Sequence, residues 1–228
     1  ALVRAVHPSW SPMEVKSALM TTTVAAGFQE DGVTPWTIEQ VGSGRVDLSK
    51  ATLAGLTMDE TVERFAAANP SGGSINQKEL NLPSLRDVAC GSSCSWTRTF
   101  KNRLNATGTW TIAITSPAGY TVTASQASFT LAPGYTKSIT FTATAVGAPT
   151  TTLSYGDIVL SEGAARSPDQ RLALAIKGET PAPEPGFCEG GACNLQVDKM
   201  TSSYSALGCG TQSAECTPML WLNQFSVP

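Results

Sequence analysis

The stretch HPSWSPMEVKSALMTTT, His7 to Thr23, holds the only histidine of the 228-residue chain, beside serines, a glutamate and a tryptophan. A histidine there could act as a general base if a serine nucleophile and an orienting carboxylate reached it. The local pattern points to a helix start instead. Ser11 is a good N-cap, Pro12 suits the first helical position, and Glu14, three residues after Ser11, completes a capping box. The spacing predicts a helix from Pro12 to about Thr22. Val15, Ala18, Leu19 and Met20 are expected on its apolar face, with Glu14 and Lys16 turned away. His7 is then a structural residue, and Ser11 is occupied with backbone.

Two further sets of residues could do chemistry. The cysteines form three local pairs: Cys90 with Cys94, Cys188 with Cys193, and Cys209 with Cys216. Their spacings are longer than the C-x2-C pairs of structural zinc sites, and His7 is remote from them. An even count in a weakly charged, Thr/Ser/Gly-rich chain fits disulfides made in an oxidising compartment, with the connectivity left open. The second set is VGSGR, Val41 to Arg45, which lacks both a full G-x-G-x-x-G pattern and a GK[ST] ending, so a phosphate loop is not expected. Gly42 and Gly44 there allow unusual dihedrals, Val46 suits a short strand, and Asp47 to Leu53 resumes a helical pattern. No cofactor and no metal is called for.

The elements that must position these residues change character along the chain. ALVRAV, Ala1 to Val6, is helix-compatible from its first residue, as if the chain begins inside a helix. Between about Leu80 and Lys177 the text becomes short strands: WTRTFKNRL, GTWTIAITSP, GYTVTASQ, SFTLAPG, YTKSITFTATAV, YGDIVLSEG and QRLALAIKG. Trp110, Ile112 and Ile114 alternate with Thr109, Thr111 and Ala113, and Ile139, Phe141 and Ala143 repeat the pattern. Strands of this kind, broken by Gly/Pro turns, predict an antiparallel β-sandwich. GETPAPEPG is a proline-rich linker, and the cysteine-containing tail after it reads as a module cut short.

Composition narrows the function. A net charge of -3, with 14% charged residues and no Lys/Arg run, gives no footprint for nucleic acid or an anionic membrane. No segment approaches the roughly 18 to 20 consecutive apolar residues of a membrane span. The chain reads as soluble, with any export signal lying outside it.

These blocks, in this order, resemble the subtilisin-like serine proteases, and within them the cucumisin-type branch with a fibronectin type III-like C-terminal domain. ALVRAVHPSWSPMEVKSALMTTT resembles the end of the nucleophile helix and the helix after it. VGSGRVDLSKA is similar to the family's G-x-G-x-V strand and following helix, and AGLTMDE to its exit toward the next domain. LNLPSL, RTFKN and TSPAGYTVTASQASFTLAPG resemble the opening strands and the SP-x-G-x-x-V run of the sandwich. The resemblance implies an α+β fragment: 1–58 the C-terminal helices of an α/β catalytic domain, 59–79 a connector, 80–178 a fibronectin type III-like antiparallel β-sandwich, 179–187 the Pro-rich linker, and 188–228 the tail. It implies a catalytic serine in a G-T-S motif about three helical turns before Ala1. No GTS occurs in the chain, so no catalytic residue is expected in it.

The reading that follows is the C-terminal part of a secreted serine endopeptidase, meeting protein or peptide substrates through its catalytic domain. The alternative is a non-enzymatic adhesion or binding module, with Tyr120, Tyr135 and Tyr155 as candidate contacts. Residues before Leu53 are expected to lack a core of their own and to exchange amide hydrogens as if near-unfolded, while Leu80 to Lys177 is protected.

Overall fold

Side chains that alternate between core and solvent dictate strands wherever the chain runs from Ser84 to Gly178, because successive Cβ atoms of a strand point to opposite faces. The computed structural model describes residues 1–147 and 151–179. Its strands are β1 Leu56–Thr57, β2 Ser84–Cys90, β3 Ser93–Asn102, β4 Gly108–Thr115, β5 Tyr120–Ala124, β6 Ser128–Leu131, β7 Thr136–Ala145, β8 Ser154–Glu162 and β9 Gln170–Gly178. They form two sheets, β1-β3-β7-β5 and β2-β9-β8-β4-β6. Trp96, Phe100, Ile139 and Phe141 from the first meet Trp110, Ile158, Leu160, Leu172 and Leu174 from the second. Phe129 lies between Phe100 and Trp110, with ring centroids 6.0 and 5.8 Å away. The seven strands expected from the sequence are β3 to β9, and the alternation at Trp110 and at Ile139 falls as expected.

The sandwich is not wholly antiparallel, which corrects the expectation. β2 runs parallel to β9, with Leu85 opposite Leu174. No tight hairpin joins these strands; the chain leaves β2 for the other sheet and returns beside it only with the last strand, so no turn imposes an antiparallel course. A Cys90–Cys94 disulfide closes the corner between β2 and β3. β1 has no counterpart in the sequence reading, and of β2 only Ser84 and Leu85 fall within the expected opening run LNLPSL. β1 has two residues, and β2 carries Arg86 and Asp87 mid-strand, with a register shift between Asp87 and Cys90. Between β6 and β7, Pro133 and Gly134 form the turn closed by Tyr135 N–H on the Ala132 carbonyl, and the positive φ of 77° explains the glycine.

Among the described residues the buried charged side chains are Glu14, Glu60, Arg98 and Glu162. Arg98, 2% exposed, donates from Nε to the Leu82 carbonyl (2.8 Å), from Nη1 to Lys78 (3.0 Å) and Thr97 (2.9 Å), and from Nη2 to Ser84 (2.8 Å). Burial lowers its pKa to about 10, against the opposing pull of the Glu60 charge, so it stays protonated at neutral pH. The guanidinium thereby fixes the segment entering β2 against β3.

Helices α1 Leu2–Val6, α2 Pro12–Thr21, α3 Ile38–Val41 and α4 Leu48–Ala51 precede β1, and α5 Val62–Ala67 and a 3-10 turn at Gln77–Glu79 follow it. The capping box of α2 is present as expected. α3 and α5, capped by Thr37 and Thr61, were not foreseen. The strand expected at Val46 reduces to a single bridge between Val24 and Arg45. Val3, Trp10, Ala18, Ala51 and Ala54 make a small second core, against which Val15 and Leu19 pack.

The buried face of α2 corrects the expectation. It consists of Glu14, Ser17, Ala18 and Thr21, so Glu14 points inward, because a second surface, that of the sandwich, meets the helix there. The expectation that residues before Leu53 lack a core of their own is corrected with it, since Val3, Trp10 and Ala18 pack with Ala51 and Ala54. In hydrogen exchange on this chain, amides of α2 are expected to be protected alongside the strands, and those of the exposed loop at Glu30–Thr34 to exchange fast. Replacing Arg98 with Met should lower the unfolding free energy in urea by about 3 kcal/mol or more, since four carbonyls lose a charged donor, whereas Thr97→Ala on the outer face should stay within about 0.5 kcal/mol.

Candidate functional site

The polar face of α2 meets β1, and three ties converge there. The Glu14 carboxylate accepts from Ser11 N–H (2.9 Å) through Oε2, and from Thr57 Oγ1 (3.1 Å) and the Arg103 guanidinium through Oε1. Arg103 Nε also donates to Thr57 Oγ1 (3.1 Å), so the threonine hydroxyl relays between the two charges. The guanidinium lies 5.7 Å from the Trp10 ring centroid. Arg103 N–H donates to the Gly55 carbonyl (2.8 Å), which sets the backbone of the β3–β4 loop against β1.

Ser17 Oγ donates to the Glu14 carbonyl (2.8 Å) and accepts from Met58 N–H (2.9 Å). Gln170 at the start of β9, 2% exposed, treats Leu56 as a strand neighbour: Oε1 accepts from its N–H (2.7 Å) and Nε2 donates to its carbonyl (2.8 Å). Nε2 also donates to Thr21 Oγ1 (2.8 Å). One primary amide thus links both sheets and α2, and satisfies backbone groups that a two-residue strand cannot pair on its inner side.

Burial alone raises the Glu14 pKa, but hydrogen bonds from Arg103 and Ser11, the Arg103 charge and the Thr57 hydroxyl outweigh it and hold the carboxyl below the ordinary 4.5. Such a node holds two segments in one relative position, with the Thr57 and Ser17 hydroxyls engaged in hydrogen bonds.

His7 lies beside it. Nε2 stands 2.7 Å from the Thr52 carbonyl, which can only accept, so Nε2 carries the proton, and the ring stacks on Trp10 at 3.9 Å and 5°. That geometry orients a structural imidazole between α1 and α4. Tyr120 is buried in β5 with its hydroxyl on the Cys90 carbonyl (3.2 Å), which removes it from the candidate contacts. Tyr155 on β8 donates to Glu39 (2.5 Å), and Tyr135 is exposed at the β6–β7 turn, so the three tyrosines are not brought together. A groove of about 810 Å³ runs over Thr57, Asp59, Arg64, Lys78, Thr97 and Lys101, with charges of both signs. Cys188, Cys193, Cys209 and Cys216 lie outside the described residues. Among the described residues no group of three or more His, Cys, Asp or Glu could hold a metal ion, and no helix is long and apolar enough to cross a membrane.

Arg103, Thr57 and Gln170 were missed from the sequence. The available signal was the spacing of Glu14, Ser17, Ala18 and Thr21, a small and polar stripe at helical period whose partner nothing in the sequence named.

A fibronectin type III domain model matches residues 79–168, and the two-sheet sandwich is the fold that it describes. Subtilisin-like protease SBT4.11 of Arabidopsis thaliana is 30% identical over 127 residues, covering 48% of this chain and 17% of that protein. Subtilisin-like protease SBT3.13 of the same plant is 25% identical over 194 residues, covering 72% of this chain and 25% of that protein. Among solved structures, the secreted serine protease VesC from Vibrio cholerae superposes with a TM-score of 0.34 at 16% identity, over 45% of this chain and 23% of that one, an overlap too low to bear on function. The chain therefore carries a fibronectin type III-like domain. Together these matches make the chain similar to the C-terminal, fibronectin-like region of subtilisin-like proteases, and it spans only 17 to 25% of the length of those two relatives.

Two variants test the node. Glu14→Gln leaves Arg103 without its counter-charge and should cost about 3 kcal/mol at pH 7. Because the folded-state pKa of Glu14 is depressed, its contribution is present above 4.5 and is lost as pH falls through the folded value; the gap between parent and variant in urea titrations should close below 4.5. Gln170→Leu leaves the Leu56 N–H and carbonyl unpaired and should cost about 2–4 kcal/mol, with α2 amides losing exchange protection first.

Proposed function

We propose that this chain is the C-terminal part of an exported subtilisin-like serine endopeptidase and that it braces the catalytic domain. Residues 1–58 would complete that domain, 59–79 connect it, and 80–178 form the accessory sandwich. The parent would hydrolyse peptide bonds through a Ser-His-Asp triad, with an acyl-enzyme intermediate, and its triad would reside in parts of the parent outside these residues. The observation that carries this reading is the clipping of α2 to the sandwich through Glu14, Thr57 and Arg103.

Exposed apolar residues of the N-terminal segment support it. Leu2 (65%), Val6 (59%) and Leu53 (62%) are exposed, an apolar surface suited to packing on a catalytic domain. In this arrangement α1 continues the nucleophile helix, α2 packs behind it, and the sandwich fixes α2. A misplacement of about 1 Å in such a support can cost roughly a hundredfold in rate. Export is supported by the Cys90–Cys94 disulfide, a bond favoured in oxidising compartments.

In the complete parent enzyme a fluorophosphonate probe should label one serine preceding Ala1, and this chain by itself should remain unlabelled. Labelling of a serine within residues 1–228 overturns the assignment. Arg103→Ala in the parent should reduce kcat at least about tenfold with little change in KM, while Lys16→Ala on the exposed side of α2 changes neither; unchanged turnover in Arg103→Ala would remove the bracing role.

A further inference from the structure

Asn105-Ala106-Thr107 is the one triplet in the 228 residues that fits Asn-x-Ser/Thr with a residue other than proline in the middle. The remaining match, Asn69-Pro70-Ser71, has the excluded proline, and its Asn69 side chain is already engaged by Ser71 N–H (3.0 Å). The Asn105 triplet lies in the bend between β3 and β4, and all three of its residues are exposed.

The bend is held from beneath. Asn102, 0% exposed, donates through Nδ2 to the carbonyls of Ala106 (3.1 Å) and Leu131 (2.9 Å) and accepts from Leu104 N–H (2.8 Å). Arg103 is fixed on the Gly55 carbonyl, and Arg166 donates to the Thr107 carbonyl (2.9 Å). These bonds use backbone atoms of the triplet and leave its side chains out: neither the Asn105 amide nor the Thr107 hydroxyl makes a hydrogen bond. The two asparagines of this loop are thus opposites. Asn102 is spent on the fold, and a large substituent on it would have to displace the core, whereas one on Asn105 meets only solvent.

We propose that Asn105 is an N-glycosylation site, a reading that rests on the proposed export of the parent. In the transfer, Asn105 Nδ2 forms a bond to the anomeric carbon of a lipid-pyrophosphate-linked oligosaccharide. The carbon–oxygen bond to the pyrophosphate breaks, the lipid pyrophosphate leaves with the electron pair, and one amide proton passes to a base; nothing is oxidised or reduced. The Thr107 hydroxyl is the recognition element of the triplet. The glycan would stand on the loop that also carries Arg103, beside the node that ties α2 to β1.

The test uses the full chain behind a cleavable secretion signal in a eukaryotic host, collected from the medium. One mobility step removable by peptide N-glycosidase is expected, absent in Asn105→Gln and in Thr107→Ala and retained in Thr107→Ser. Gly134→Asn completes an Asn-x-Thr triplet with Thr136 at an exposed turn whose φ of 77° asparagine tolerates, and should add a second step. A secreted chain without the step, or a step that persists in Asn105→Gln, overturns the proposal; if one variant fails to be secreted, the other still reports. Because the signal is supplied, the outcome is independent of the parent's natural address. Finding the native parent in the cytosol would sink export and leave the Asn105 result standing.

Discussion

The contact on which the arrangement depends is the one between the Glu14 carboxylate and the Arg103 guanidinium, with the Thr57 hydroxyl between them. An isolated carboxylate at this depth would cost several kcal/mol, and the charge pair offsets this only while its geometry is kept. The pair therefore adds little net stability but strongly penalises any other placement of α2. Ser17 on Met58 and Gln170 on Leu56 work by the same rule with neutral groups: each satisfies a buried backbone atom that has no other partner in that direction.

Two kinds of core result. In the sandwich, apolar side chains from two sheets interdigitate, and stability comes chiefly from area removed from water. At the α2–β1 contact the surfaces are polar, so orientation is specified by direction-dependent bonds. Arg98 belongs with the second kind although it sits on a strand of the first: its guanidinium meets the carbonyls of Lys78 and Leu82, ahead of β2, as well as those of Ser84 and Thr97 on the strands. Charged and amide side chains thus stand wherever regular secondary structure stops short, at a two-residue strand and at the entry to β2.

The sandwich and the N-terminal segment differ in how they are held. The sandwich closes its own core, while the N-terminal segment is bonded to it through polar groups of α2 and leaves Leu2, Val6 and Leu53 exposed.

Periodicity alone was sufficient for seven strands, for α2 and its cap, and for the inward face of Trp110 and Ile139, because these depend on neighbours two to four residues away. It was insufficient for β1, whose two residues carry no period, and for β2, where Arg86 and Asp87 interrupt the pattern at a bulge. It misplaced Glu14, since a carboxylate on a helix reads as solvent-facing unless its partner is known, and Arg103 is 89 residues further along the chain. Gln170 lies 114 residues from Leu56 and nothing in the letters near either one announces the other. Local spacing determined the elements; the folded chain decided which polar groups are buried together, because burying a charge or an amide is favourable only beside a partner that tertiary structure brings to it.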